Sequence, residues 1–180
     1  MSLIDKLQSF SVKIQPFLDK FGAYKVHLCP EVKGRLTNNG EPLVNVKIER
    51  GLYFSDGKAR KDNTYTDSQG NFNFPCWEIR SDQPGIPLAE IRTGQMVKFA
   101  YEKREYLLWA ATLHNINPIK EYLQKLKELN GEINNEEVFF KFDNKANPNI
   151  LLSATSICRW DKDFRVIDPQ LIVDEVNNLE

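Results

Sequence analysis

Histidine is scarce in this 180-residue sequence, which carries only His27 and His114. That leaves little general-base capacity near neutral pH and no material for a multi-histidine centre. Cysteine is nearly as rare. Cys29, Cys76 and Cys158 are far apart and form no CxxC pair, which excludes ribbon-type zinc sites and thioredoxin-type redox motifs. An odd count without a framework fits a reducing compartment; export would instead allow one disulfide beside a free thiol. No apolar run approaches the ~18 residues that a membrane helix needs. The N-terminus MSLIDKLQSFSVKIQPF is interrupted by Asp5, Lys6 and Lys13 and has no small-residue cleavage site, so no secretory signal is expected and the cytoplasm is the expected location. Charge of one sign is lacking too. Lys and Arg number 24 against 25 Asp and Glu, for a net charge of −1, which provides no global field for nucleic acid or an anionic membrane. Residues 161–180 are locally acidic and read as a solvated tail able to meet a basic partner. G-x-S-x-G, Walker, H-E-x-x-H and G-x-G-x-x-G motifs are all missing, which removes the common hydrolase, nucleotide and metalloprotease signatures.

What is present is patterning. Leu3, Leu7, Phe10, Ile14, Leu18 and Phe21 recur at helical spacing; this predicts an N-terminal amphipathic helix over 1–22, kinked at Pro16 and ended by Gly22. It is expected to pack on or flank the domain. Its polar face is mixed in sign, which disfavours a membrane surface and leaves a peripheral inner-membrane role as the lesser alternative. Short alternating segments follow from Tyr24. Val32, Gly34 and Leu36 form a strand, Asn38-Asn39-Gly40-Glu41-Pro42 a tight turn, and Val44, Val46 and Ile48 a second strand paired across that turn. Residues 54–63 (FSDGKARKDN) read as a basic loop or hairpin tip. Thr64 to Pro75 repeats the strand pattern around the Asp67-Ser68-Gln69-Gly70 turn, and 81–94 is a long connection rich in Pro and Gly. Val97, Phe99 and Tyr101 pair with Leu107, Trp109, Ala111 and Leu113 as a hairpin across Glu102 to Glu105. Asn117 is an N-cap with Pro118 at the first helical position, predicting a helix over about 117–130 that stops at Gly131. Val138, Phe140 and Phe142 form a strand and Ile150 to Trp160 a long last one, with a small apolar group at Leu171, Ile172 and Val173 beyond. About eight short strands with two helices predict a mainly β, antiparallel sandwich in one domain over 23–180, preceded by the N-terminal helix.

Three runs carry a resemblance: Val32-Lys33-Gly34-Arg35-Leu36; Asn39-Gly40-Glu41-Pro42-Leu43-Val44-Asn45-Val46; and Tyr65-Thr66-Asp67-Ser68-Gln69-Gly70-Asn71-Phe72-Asn73-Phe74. They resemble the transthyretin-like, carboxypeptidase-regulatory-type β-sandwich family over residues 30 to 113. The wider sequence is similar to a group of small bacterial proteins carrying this domain, some of which neutralise toxins delivered by type VI secretion. The fold also hosts 5-hydroxyisourate hydrolases, but those resemble one another in several histidines and a C-terminal Tyr-Arg-Gly-Ser. Here the chain ends Asn-Asn-Leu-Glu.

The expected function is therefore a non-enzymatic protein-binding module, an immunity protein that masks a toxin by surface complementarity. No nucleic acid, cofactor or metal is expected. Long loops on a rigid scaffold carry function and aromatics with Arg anchor interfaces, which nominates Tyr53, Phe54, Arg60, Trp77 and Arg80 as contacts. Trp77 serves equally as core filler. The alternative is a small hydrolase using His27 or His114, where His27 beside Cys29 could form a dyad or half a zinc site. Asp67, Ser68 and Asn71 offer clustered oxygens, but one carboxylate is far short of a calcium shell, and the turn itself explains them.

Overall fold

A computed structural model of the chain describes residues 19–168. The expected helix over 1–22 lies almost wholly outside the described residues, as does the apolar group at Leu171 to Val173. Residues 19–20 form a turn, and Gly22 lies in a bend with φ +129°.

The described residues are mainly β with one short α-helix and a 3-10 turn at Gln83–Gly85, and their sheets are not closed. Strands run β1 (Tyr24–Cys29), β2 (Val32–Asn38), β3 (Glu41–Pro42), β4 (Lys47–Phe54), β5 (Ala59–Tyr65), β6 (Asn71–Phe74), β7 (Trp77–Ser81), β8 (Thr93–Tyr101) and β9 (Arg104–Leu113). After helix α1 (Lys120–Leu126) come β10 (Gly131–Glu132), β11 (Val138–Phe142), β12 (Leu152–Ser156) and β13 (Arg165–Val166). A seven-stranded sheet has the order β13-β11-β12-β9-β8-β4-β5, all pairs antiparallel. β1 and β7 make an antiparallel ribbon, and β2 pairs with β3 and β6 antiparallel and with β10 in parallel.

One apolar core joins these sheets. Period-2 alternation puts Ile48, Leu52 and Phe54 of β4 and Val97 and Phe99 of β8 on the buried face of the large sheet. Val26 and Leu28 of β1, Leu36 of β2, and Phe72 and Phe74 of β6 belong to the same core. A bond chain ties the ribbon to the large sheet: buried Trp109 donates Nε1–H to Gln95 Oε1 (3.2 Å), and Gln95 Nε2 donates to the Leu28 carbonyl (2.8 Å). Trp109 also meets Tyr122 of α1 edge-on at 5.6 Å, which seats the helix.

Several expectations need correction. The Asn39-Gly40 turn forms with both φ positive (51° and 84°), but β2 and β4 do not pair across it. The turn closes on the two-residue β3, and the chain then crosses to the large sheet. Their apolar residues meet through the core instead. The 54–63 stretch is a hairpin tip only over 55–58: Phe54 closes β4, and Ala59 to Asn63 belong to β5, which pairs with β4. The helix begins at Lys120, three residues late, and Asn117 is not its cap; the Asn117 N–H instead donates to Asn115 Oδ1 (3.0 Å). Gly131 does not end it either, because Gly131 enters β10, where a Cβ would come within 2.6 Å of Leu108. The last long strand is shorter, Leu152–Ser156. A bulge between Val97 and Lys98 places Leu108 between the partners of its hairpin, so Leu108 and Trp109 are both fully buried and strict alternation fails there.

Candidate functional site

Two places on this scaffold hold side chains that its stability does not account for. The first is the outward face of the large sheet. Cross-strand register lines up Lys61 of β5, Gly51 of β4, Met96 of β8, Ala110 of β9, Thr155 of β12 and Phe139 of β11 in a single row. Beside it lie Ala59, Tyr53, Gly94 and Thr112. Small residues in the middle and larger ones around them leave an open groove of about 570 Å³. Tyr53 is 45% exposed and Met96 39%. Lys61 supplies charge at the β5 end.

Gly51 and Gly94 are the informative residues. Glycine inside a strand lacks a packing side chain and loses more backbone entropy than any other residue. Neither has a positive φ, and a Cβ would meet only Met96 Cε at 3.5 Å or Tyr53 Cβ at 3.4 Å, ordinary contact distances. Contrast Gly34, where a Cβ would lie 2.1 Å from the Leu129 carbonyl oxygen. Gly34 is demanded by the fold. Gly51 and Gly94 are not, and their effect is to keep the groove open.

The second place is on the β1–β7 ribbon. His27 and Glu78 are cross-strand partners, and a bulge at Leu28 shifts the register next to them. Cys76 precedes β7. Its Sγ lies 3.8 Å from His27 Nδ1, and Glu78 Oε1 lies 3.6 Å from the same nitrogen. Lys25 pairs with the other Glu78 oxygen, Oε2, at 2.7 Å. The His27 side chain is only 10% exposed, and its Nε2 is buried with no hydrogen-bond partner. Burial lowers the imidazole pKa, against the opposing pull of Glu78, and keeps the ring neutral. Burial first and then the Glu78 charge push the Cys76 thiol above its ordinary value. A thiol held protonated is a poor nucleophile, so this trio is not an activated cysteine dyad.

The nominated contact residues scatter. Tyr53 lies in the groove. Phe54 is fully buried beneath the same strand and presents no surface. Arg60 is 3% exposed and points inward; it donates to Asp19 through Nε (2.7 Å) and Nη2 (2.5 Å) and to Asp56 through Nη1 and Nη2. Those carboxylates outweigh burial and raise its pKa. Arg60, nominated as a contact, is therefore an internal clamp. Trp77 is half-buried, with the Arg50 guanidinium 5.4 Å over its ring. Arg80 is exposed, and its Nε donates to the Gly22 carbonyl (3.1 Å). The structure brings none of the other four to Tyr53's groove through its side chain. His27 meets Cys76 rather than Cys29, whose buried thiol is pushed up to about 11, and His114 stands 63% exposed beside Glu90. Asp67 accepts backbone N–H bonds from Gln69 and Asn71, both 2.8 Å, which hold its carboxyl below the usual range and give it the work of a turn.

Among the described residues no helix is long and apolar enough to cross a membrane. One family model matches the chain, across residues 32–136. That span contains four of the groove strands, β4, β5, β8 and β9, together with Cys76 and Glu78, and it leaves out β11, β12 and His27. No curated protein and no solved structure matches the chain.

Proposed function

We propose a function from the premise that the chain belongs to the family described as a domain of unknown function (DUF6795): it is a non-enzymatic protein-recognition module that binds through the outward face of its large sheet. The observation that carries the reading is the pair of glycines, Gly51 and Gly94, which cost stability in strands and are not required by any neighbour. Such positions serve where another chain approaches the backbone closely. The occupant is an apolar segment of a partner protein, seated over Gly51, Gly94 and Ala110 between Tyr53 and Phe139, with a carboxylate facing Lys61. Tyr53 is the anchor, an amphipathic ring of the kind that dominates interface energies. The sheets joined by the core are read as a transthyretin-like sandwich, on the resemblance of residues 30 to 113.

Within the protein-binding class, that same resemblance supports the narrower reading of an immunity protein that masks a secreted bacterial toxin. Affinity capture from the source cell, followed by reconstitution from purified components, tests the class; a stoichiometric complex that forms with wild type and fails with Tyr53→Ala is expected. Co-expression tests the narrower reading: the chain should restore growth to cells poisoned by its partner. Finding no stoichiometric partner, or one whose binding ignores Tyr53, overturns the proposal.

A further inference from the structure

The His27 ring is nine-tenths buried, yet neither of its nitrogens makes a good hydrogen bond. Nε2 has no partner. Nδ1 faces Glu78 Oε1 at 3.6 Å, beyond hydrogen-bond range, and Cys76 Sγ at 3.8 Å. Nε2 makes no hydrogen bond with Cys76 or Glu78; it is Nδ1, with both neighbours beyond normal hydrogen-bond length, whose surroundings ask for a bridging group. The spacings favour an ion. With Zn–N of about 2.0–2.1 Å, Zn–S of about 2.3 Å, Zn–O of about 2.0–2.2 Å and tetrahedral angles, an N and an S ligand sit about 3.6 Å apart and an N and an O ligand about 3.4 Å. The distances here are too long for direct bonds and close to those of two ligands sharing one cation. All three ligand atoms lie within 4.8 Å of one another.

We propose that His27 Nδ1, Cys76 Sγ and Glu78 Oε1 bind one zinc ion, leaving its fourth position open to solvent. The surroundings hold each ligand in place. Arg50 Nη1 donates to the Pro75 carbonyl (2.7 Å), which fixes the backbone before Cys76. The β1–β7 register sets His27 opposite Glu78, and the Leu28 bulge re-aims that stretch. Lys25 holds Glu78 Oε2 and leaves Oε1 toward the imidazole, the outer-shell arrangement that orients a ligating carboxylate. Ligation at Nδ1 moves the imidazole proton to Nε2, which is unpaired in either tautomer, so the ion adds no new unsatisfied atom. The Cys76 thiol gives up its proton to water on binding, and its sulfur then bonds the metal as thiolate. An N, S, O set suits a borderline cation such as zinc better than calcium or magnesium, which take oxygen alone. Cys76 and Glu78 lie within the family match and His27 lies outside it. The ion staples β1 to β7, a two-stranded ribbon of a kind that is marginal alone.

The test uses the full chain, reduced and stripped with a chelator, titrated with Zn²⁺ against a chromophoric competitor and separately with Co²⁺. One Zn²⁺ per chain is expected, with a rise in Tm, and Co²⁺ should give a near-UV sulfur-to-metal charge-transfer band with four-coordinate visible bands. Cys76→Ser should abolish the charge-transfer band and weaken Zn²⁺ binding by more than the roughly 10–100-fold typical of outer-shell changes. Glu78→Gln should weaken binding, and His114→Gln should change nothing. Both ligand substitutions are at exposed positions, so metal-free melting curves should match wild type. Absence of stoichiometric Zn²⁺, or a charge-transfer band that survives Cys76→Ser, overturns the assignment.

Discussion

Removing Asp62 should destabilise the protein more than removing Arg50, although the two form one pair. Arg50 is fully buried on β4, its Nε and Nη2 donating to the two Asp62 oxygens (3.0 and 2.6 Å) and its Nη1 to the Pro75 carbonyl (2.7 Å). The guanidinium stacks 4.7 Å from Phe74 and 5.4 Å from Trp77. Its partner is different, since the Asp62 side chain is 29% exposed. Asp62→Ala strands an arginine that water cannot reach, a change that costs about 3–5 kcal/mol. Arg50→Met replaces the guanidinium with an apolar chain of similar reach among aromatic rings, and the abandoned Asp62 rehydrates at the surface. The residual penalty is the lost partner of Pro75, about 1–3 kcal/mol. Urea unfolding with linear extrapolation reads the difference. With a slope near 2 kcal/mol per molar, Asp62→Ala should lower the midpoint by about 2 M and Arg50→Met by about 1 M. Equal losses, or a larger loss for Arg50→Met, would refute the reasoning, because they would mean that the charge pair rather than its burial governs stability.

Three further outcomes are expected. Gly34→Ala should destabilise by about 1–3 kcal/mol or more, since its Cβ must push against the Leu129 carbonyl, a backbone atom that cannot rotate away; a neutral result by urea unfolding would mean that the β2–Leu129 contact is looser than described. The β8–β9 turn places Glu102 and Lys103 at φ +47° and +68°, a left-handed pair in which Asn-Gly is favoured. Glu102→Asn with Lys103→Gly should therefore raise stability by about 1 kcal/mol in thermal melts, by relieving strain of about 1–2 kcal/mol per residue. Glu132 is partly desolvated, which opposes its charge, but it accepts N–H bonds from Asn39 (3.0 Å) and Gly40 (3.1 Å), and its pKa lies below the ordinary value. Its contribution is present above the unfolded pKa and is lost as pH falls through the lowered folded one. Glu132→Gln should flatten that acid limb of the stability profile and leave the neutral-to-alkaline side parallel to wild type.

Local signals were legible where backbone chemistry is self-contained. Asn39-Gly40 announces a turn with two positive φ values, Asp67 and Gly70 announce another, and Phe72, Phe74, Val97 and Phe99 announce buried strand faces. Pairing was less legible, because alternation in β2 and β4 is the same whether the strands share a sheet or face each other through a core. Arg60 was hidden by composition: an arginine in a polar stretch reads as surface, and only the fold brings Asp19 and Asp56 to it. The Leu108 bulge breaks the period on which burial was read. Cys76 and His27 are 49 positions apart, and no spacing rule joins them; the β1–β7 register does. The groove did leave a trace, two glycines at outward positions of otherwise regular strands.

The recognition face is tested most directly by filling it. Gly51→Leu places a side chain over the middle of the groove without a backbone clash, and strand propensity predicts stability equal to or above wild type. Binding of the purified wild type and this variant to the captured partner should then diverge, with the variant's affinity down at least tenfold, or about 1.4 kcal/mol, at a melting temperature no lower than wild type. Undiminished binding by a stable Gly51→Leu protein would show that the partner docks elsewhere.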